Sequence, residues 1–169
     1  MDWLLIGLFS FLIFQRLSEL AIAKSNKKWM LERGGREIGQ EHYFLFILLH
    51  TLFFVSILVE FSLTDFSWSY VTWIALTFFS FLQLLRIYCI ATLGRRWNTR
   101  IIIIPEEKPI QKGLYRFMSH PNYTIVFFEL IAIPLLFHAY ITAVIFPVFH
   151  LLILRIRIPA ENRALKERA

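Results

Sequence analysis

Long apolar runs separated by short polar segments dominate the pattern of this 169-residue chain. Three of the runs lie at about residues 3–23, 43–61 and 68–93. At ~1.5 Å per residue, each of them can cross the ~30 Å hydrocarbon core of a bilayer as a helix. The pattern therefore predicts three membrane-spanning helices in this part of the chain.

A fourth apolar run, at about 123–154, has 32 residues, which is long for one span and short for two. Pro134 and a polar break at 138–140 interrupt it. Proline and turn residues of this kind bend or end helices. We therefore expect a tight helical hairpin, with spans near 122–137 and 140–156.

Basic residues decide between four spans and five. They concentrate at 24–36, 95–116 and 155–168, whereas the loop at 60–67 has acidic residues and no Lys or Arg. Loops rich in Lys and Arg stay in the cytoplasm, and placing all three segments there requires the hairpin. The sequence thus predicts an all-α integral protein of the cytoplasmic membrane with five transmembrane helices. We expect one polytopic domain over 1–169, with its N-terminus outside and its C-terminus in the cytoplasm.

Composition excludes several other classes of protein. Hydrophobic residues make up 57% of the chain, which is too apolar for an ordinary soluble domain. The basic residues form no continuous stripe, so we expect no nucleic-acid partner. Cys89 is the single cysteine, so we expect neither disulfides nor a metal. No segment between spans exceeds 28 residues and no G-x-G-x-x-G occurs, which excludes a soluble Rossmann-type domain.

Ionisable and amide side chains inside the spans share one depth, roughly 8–17 Å from the predicted cytoplasmic boundary. They are Arg16, Glu19, His50, Gln83, Arg86, Glu129 and His150. One interpretation is a set of structural pairs, Arg16 with Glu19 and Arg86 with Glu129. The common depth favours a polar cavity open to the cytoplasm, because polar groups in a membrane are costly and usually functional.

Three short motifs stand at the same predicted boundary. They read Leu93-Gly94-x-x-Trp97, Gly113-x-Tyr115-x-x-x-Ser119-His120-Pro121-x-Tyr123 and Arg157-Ile158-x-x-Glu161-Asn162-x-x-Leu165. In these motifs the chain resembles the isoprenylcysteine carboxyl methyltransferase (ICMT) family, polytopic enzymes that use S-adenosylmethionine (SAM). The chain departs from the family pattern at Ser119, where the family has Arg, and at Asn162, where it has a second Glu.

The N-terminal half resembles a bacterial branch of this family, at Arg16-x-x-Glu19, His42-Tyr43, His50 and Glu60. Some members of that branch are paired with type III polyketide synthases that make alkylpyrones and alkylresorcinols. The resemblance implies a SAM-dependent membrane O-methyltransferase acting on an acidic oxygen of such a long-chain lipid. The expected partners are this lipophilic substrate in the inner leaflet and the membrane lipids, and a monomer can suffice. The alternative substrate is the carboxylate of a protein S-isoprenylcysteine.

The second motif suits a cofactor on physical grounds as well. Pro121 can begin a helix whose free N–H groups receive a carboxylate, and the two tyrosines can face a sulfonium. Interfacial anchoring by the tyrosines and N-capping by His120 are the alternatives. With the resemblance, we expect a cytoplasmic SAM site formed by Tyr115, His120, Pro121, Asn122, Tyr123 and Glu161.

The resemblance also implies catalytic roles for Arg157 and Glu161. Arg157 matches the family Arg near the acidic head of the substrate, where a guanidinium can hold an anion. Glu161 or His120 would take the proton of an enol or phenol. The predicted substrate-binding residues are Arg86, Trp97, Glu129 and Arg157.

Two other functions stay open at this point. A membrane sterol-type reductase would bind NADPH, and Arg95, Arg96 and Arg100 could then hold its 2′-phosphate. The short chain and the spacing of Arg157 and Glu161 weigh against this function. The third possibility is a non-catalytic membrane partner of a synthase or transporter, against which the polar residues in the spans weigh weakly.

Overall fold

Helices account for most of residues 3–166, the part of the chain that the computed structural model describes. They are α1 (Trp3–Leu31), α2 (Gln40–Ser62), α3 (Tyr70–Leu93), α4 (Pro121–Leu136) and α5 (Tyr140–Lys166). The predicted predominance of helix is confirmed. The predicted orientation of the two termini, and the last part of the third basic segment, concern residues 1–2 and 167–169, which lie outside the described residues.

Four of these helices are long and apolar enough to cross a membrane, namely α1, α2, α3 with the turn that follows it, and α5. The apolar helix α4 is shorter and has 16 residues. At 1.5 Å per residue it extends roughly 24 Å, less than the ~30 Å of a hydrocarbon core. Four candidate spans are therefore present among the described residues, and a fifth crossing by α4 stays a prediction.

The described residues form two compact units. Unit 1 contains those within 1–40, 93–109 and 160–169, and unit 2 contains 41–92 and 110–159. The sequence predicted one polytopic domain over the whole chain. That both units act as one functional domain stays a prediction.

A small antiparallel sheet, which the sequence analysis did not predict, organises unit 1. Strand β1 (Arg36–Ile38) pairs with strand β2 (Ile101–Ile103). Successive side chains of a strand point to opposite faces, and both faces of β2 are covered. Its middle residue packs with Met30 of α1, and its other two residues pack with Ala164 of α5. This two-sided burial explains an uninterrupted run of isoleucines outside the spans.

Two asparagine side chains bind the segment after α3 to α1. The Nδ2 atom of Asn26 donates to the carbonyl oxygen of Trp97 at 2.7 Å. The Nδ2 atom of Asn98 donates to the carbonyl oxygen of Ala23 at 2.9 Å. Backbone acceptors that would otherwise be costly to bury are satisfied in this way. The first motif is thereby fixed within unit 1.

In unit 2, α4 and α5 form a helical hairpin, as expected from the polar break between them. The turn includes His138 at a positive φ of 54°. The helices run antiparallel, because Tyr123 near the start of α4 contacts Arg157 far along α5. Helix α5 continues through Pro147 and Pro159 well beyond the expected end of its span at 156.

Glu60, near the end of α2, fixes the start of α5. Its carboxylate accepts hydrogen bonds from the backbone N–H groups of Ile141 at 2.8 Å and Thr142 at 3.0 Å. The hydroxyl of Thr142 donates to the same carboxylate at 2.8 Å. The first N–H groups of a helix lack partners within it, and a negative charge there opposes the helix dipole favourably. The contact ties α2 to the hairpin.

Candidate functional site

The H-P-x-Y motif forms the entrance to α4. Pro121 is the first helical residue, where the missing N–H costs nothing, and His120 precedes it at φ −133°. The His120 side chain makes no capping hydrogen bond. Its ring instead stacks on that of Tyr123, with centroids 5.4 Å apart and planes 25° apart. His120 thus occupies the N-cap position of α4, as the alternative expected, but without a side-chain capping bond.

Gly113 fixes the turn that carries Tyr115. It begins the short 3-10 helix Gly113–Arg116 at φ 56°, a left-handed conformation that favours glycine. A Cβ atom at this position would lie 2.8 Å from the hydroxyl oxygen of Tyr88 in α3. The motif glycine therefore lets this turn pack directly on α3.

Arg157 connects the third motif to the second. Its Nε donates to the hydroxyl of Tyr123 at 3.1 Å, although 34 positions separate the two residues. The guanidinium carbon also lies 5.5 Å from the centre of the Phe46 ring in α2, within the range of a cation–π contact. Only 3% of Arg157 is exposed. Unit 2 thus brings together three predicted site residues, His120, Tyr123 and Arg157.

His150 belongs to the same cluster, although no sequence motif indicated it as a site residue. Its Nε2 lies 3.3 Å from the backbone carbonyl oxygen of Tyr123. Its ring meets Phe46 edge to face, with centroids 6.3 Å apart. The available signal was its spacing, since His150 precedes Arg157 by seven residues, or about two helical turns, on one face of α5. Phe46 carried no such signal in the sequence.

Arg86 of α3 and Glu129 of α4 form a buried ion pair, as their matched depth predicted. The Nη1 atom of Arg86 lies 2.8 Å from Oε2 of Glu129, and Gln83 donates to the other carboxylate oxygen at 2.9 Å. The second predicted pair, Arg16 with Glu19, is also present in α1 at 3.0 Å. Both contacts agree with the interpretation that these polar residues form structural pairs. The predicted substrate-binding roles of Arg86 and Glu129 stay predictions.

Trp97 and Glu161 belong to unit 1. Trp97 is buried, and its indole Nε1 has no hydrogen-bond partner within residues 3–166. Glu161 lies one turn beyond Arg157 on α5. The roles expected of these residues stay predictions, as does that of Asn122, whose buried Oδ1 likewise has no partner in the described chain. No three His, Cys, Asp or Glu residues converge as a metal site between residues 3 and 166.

Charged side chains of unit 1 neutralise one another. Glu37 in β1 accepts hydrogen bonds from Lys27 and Arg100. Burial raises the pKa of the Glu37 carboxyl, but the two cations outweigh burial and hold that pKa below its ordinary value of 4.5. Arg96 pairs with Glu107 at 2.5 Å, and this hydrogen bond raises the pKa of Arg96. Two of the three arginines considered for an NADPH phosphate are thus engaged by carboxylates.

The part of the chain that contains the three motifs is similar to a known family. The model of the isoprenylcysteine carboxyl methyltransferase (ICMT) family matches residues 73–167. Over 172 residues the chain is 40% identical to a protein of Bacillus subtilis named Uncharacterized protein YpbQ, with 99% of this chain and 98% of the relative covered.

A more distant relative comes from Haemophilus influenzae and is named Uncharacterized protein. It is 27% identical over 158 residues, with 93% of this chain and 92% of the relative covered. No solved structure matches the chain. The similarity therefore extends over almost the whole length of both relatives, including the N-terminal helices that the family match leaves out.

Proposed function

The chain belongs to the isoprenylcysteine carboxyl methyltransferase family and is a membrane methyltransferase, and we propose that it transfers the methyl group of SAM to an acidic oxygen of a long-chain lipophilic acceptor. Family membership and the four apolar helices support the membrane enzyme. The cofactor, the acceptor and the cytoplasmic face of the site are the proposed part. The three basic segments support that face through the positive-inside rule.

The main support for this proposed methyl transfer is the contact between Tyr123 and Arg157. The two residues come from separate motifs, and the hydrogen bond of 3.1 Å holds a buried guanidinium beside the start of α4. A guanidinium in apolar surroundings attracts an anionic oxygen strongly, because little water screens the charge. The pair can therefore hold an acidic acceptor group next to the motif expected to bind the cofactor.

The residues at the start of α4 fit SAM. The first turn of α4 begins at Pro121, and the positive end of the helix dipole there suits the carboxylate of SAM. The stacked rings of His120 and Tyr123 offer π faces to a sulfonium, a contact worth ~0.5–2 kcal/mol. The buried Oδ1 of Asn122 can accept a hydrogen bond from an ammonium group. When bound, SAM supplies an electrophilic methyl group on a cationic sulfur.

The protein's own part is to orient the acceptor and exclude water. We assign to Arg157 the binding of the acceptor oxygen and the stabilisation of the negative charge that it gains as its proton leaves, before the methyl group is transferred. Burial of the guanidinium makes this stabilisation stronger than it is in water. On the strength of their motif positions, we assign Tyr115 and Glu161 to cofactor binding, with Glu161 as a second catalytic candidate.

For the acceptor we propose an enol or phenol on a long alkyl tail, as in an alkylpyrone or alkylresorcinol. Resemblance of the N-terminal half to the bacterial branch supports this class, and the isoprenylcysteine carboxylate is the alternative. A tail buried among apolar helices gains ~0.8 kcal/mol per methylene. Tail length should therefore contribute more to affinity than the head group does.

The NADPH-dependent reductase is the weaker candidate. It requires a basic groove for a phosphate, but Arg96 is paired with Glu107 and Arg100 with Glu37. Using either arginine for a phosphate would break an existing ion pair. The engagement of these residues therefore favours the methyltransferase.

Calorimetry on detergent-purified protein tests the cofactor. We expect SAM to bind and NADPH not to bind. His120→Ala, Tyr123→Ala and Glu161→Ala should each weaken SAM binding by about tenfold or more, ~1.4 kcal/mol. Tyr70→Ala is the matched control, because Tyr70 is 90% exposed at the start of α3. Binding of NADPH alone, or SAM affinity unchanged in all three variants, contradicts the proposed cofactor or its site.

Labelled SAM then tests the acceptor. The protein is incubated separately with pentadecylresorcinol and with N-acetyl-S-farnesylcysteine. We expect a methyl ether on the resorcinol. A methyl ester on the farnesylcysteine without any ether supports the alternative acceptor instead.

A further inference from the structure

His150 is a buried histidine whose two ring nitrogens have different surroundings. Only 1% of the residue is exposed. Its Nε2 lies 3.3 Å from the carbonyl oxygen of Tyr123, whereas its Nδ1 is buried and has no partner among residues 3–166. A carbonyl oxygen can only accept a hydrogen bond, so Nε2 carries the hydrogen of the neutral ring. The lone pair therefore lies on Nδ1, which is a hydrogen-bond acceptor without a donor.

The neighbours of His150 are those of the proposed acceptor site. Phe46 contacts both the ring of His150 and the guanidinium of Arg157. Tyr123 also contacts both, through its backbone carbonyl and its side-chain hydroxyl respectively. His150 and Arg157 therefore face the same two residues from one side of α5. His150 and Arg157 are about two helical turns apart on α5, so a single acceptor would have to extend along this face to reach both.

Building on the proposed function, we infer that Nδ1 of His150 binds the hydroxyl of an enol or phenol acceptor and takes its proton for the methyl transfer. A hydroxyl offers the hydrogen that Nδ1 lacks. An ionised carboxylate offers only lone pairs, which Nδ1 would repel. The Nδ1 atom of His150, which has no partner within residues 3–166, therefore favours a hydroxylated lipid over an isoprenylcysteine carboxylate as the acceptor.

The step balances in atoms and charge. The acceptor oxygen forms a bond to the methyl carbon, while the carbon–sulfur bond of the sulfonium breaks and leaves its electron pair on sulfur. The hydroxyl hydrogen passes to Nδ1, giving an imidazolium that later returns its proton to water. One positive charge is present before the step, on sulfur, and one after it, on His150. Charge is displaced rather than created, which suits apolar surroundings.

A structural role for His150 is the competing explanation, since the bond from Nε2 ties α5 to α4. Two variants separate the roles. In His150→Gln the amide nitrogen can still donate to the Tyr123 carbonyl, but nothing replaces Nδ1. In His150→Asn the shorter amide oxygen replaces the acceptor at Nδ1, but the bond to Tyr123 is lost and the group cannot take a proton near neutral pH.

Both variants and the wild type are compared in lipid nanodiscs, by equilibrium binding of SAM and pentadecylresorcinol and by the rate of methyl transfer. We expect SAM affinity to stay within about twofold in both variants. His150→Gln should lose roughly tenfold in resorcinol affinity, the loss of about one good hydrogen bond. His150→Asn should bind the resorcinol within about threefold of the wild type. Transfer should fall at least about a hundredfold in both, as expected when a general base is removed.

Wild-type transfer and resorcinol binding in His150→Gln would show that only the bond to Tyr123 matters and would overturn the inference. Full transfer by His150→Asn would exclude proton uptake by His150. Equal loss of SAM binding in both variants would assign His150 to the fold alone. A wild type that binds no SAM, or that methylates neither lipid probe, instead refutes the proposed function, and the inference fails with it.

Discussion

The Nη1 atom of Arg86 in α3 lies 2.8 Å from Oε2 of Glu129 in α4, with only 5% and 1% of the two side chains exposed. Gln83 occupies the second oxygen of the carboxylate at 2.9 Å. Two charges withdrawn from water are tolerated together because each neutralises the other. Removal of one partner leaves the other charge buried in an apolar helix bundle.

This relationship predicts strong coupling between the two residues. Arg86→Met and Glu129→Gln should each lower the free energy of unfolding by ~3–5 kcal/mol, because each leaves part of the pair uncompensated. The double variant should lose much less than the sum of the two. Thermal unfolding in one detergent measures all three variants.

The exposed pair of Lys28 and Glu32, at 4.0 Å, provides the control for this cycle. Its coupling should be no more than ~0.5 kcal/mol, as for other exposed ion pairs four residues apart. Strictly additive melting shifts for Arg86 and Glu129 would contradict a direct interaction between them.

A second prediction concerns Gly113. Gly113→Ala should destabilise the protein by ~1–3 kcal/mol, because it adds a Cβ 2.8 Å from the Tyr88 hydroxyl at a left-handed backbone position. Gly94 has a similar φ of 54°, but a Cβ there meets nothing within 4 Å. Gly94→Ala therefore measures the backbone strain alone. If the two variants melt at the same temperature, close packing on Tyr88 contributes nothing.

The pH dependence of stability should report on Glu37. Its pKa is lower in the folded protein than the ordinary 4.5, so its contribution to stability is complete above that value. The contribution disappears as the pH falls through the lower, folded pKa. Melting temperatures between pH 7 and pH 3 should therefore fall less steeply for Glu37→Gln than for the wild type.

Glu32→Gln serves as the comparison for Glu37, since Glu32 is an exposed carboxyl in the turn that follows α1. It should change the melting temperature at pH 7 only slightly. A wild-type slope in Glu37→Gln would mean that the ion pairs with Lys27 and Arg100 do not persist in solution.

Membrane topology tests whether α4 crosses the bilayer. The basic segments predict that reporter fusions after residue 169 are cytoplasmic and that fusions within 60–67 are external. If α3, α4 and α5 all cross, three crossings separate the two sites and they read on opposite sides, whereas without a crossing by α4 only two remain and both sites would be external. Fusions at 138, between α4 and α5, resolve this and should be external. A cytoplasmic signal at 138 would show that α4 does not cross.

The local part of this protein was readable from the sequence. Helices in apolar segments satisfy their own backbone hydrogen bonds, so length and hydropathy alone indicated α1, α2, α3 and the two helices of the hairpin. Pro121 indicated where α4 begins, because the proline ring suits the first position of a helix. The motifs likewise indicated the family, since their residues are close together in sequence.

Contacts between distant residues were decided only by the tertiary structure. Three-residue strands leave no detectable alternation, so β1 and β2 escaped prediction. The meeting of Tyr123 with Arg157 and Phe46 depends on how helices pack, which hydropathy does not encode. His150 appeared in the sequence as one polar residue among several at a common depth. Only the fold gives the two ring nitrogens of His150 different surroundings. Because α4 and α5 are antiparallel, the carbonyl oxygen of Tyr123 lies beside Nε2, while Nδ1 has no hydrogen-bond donor among the described residues.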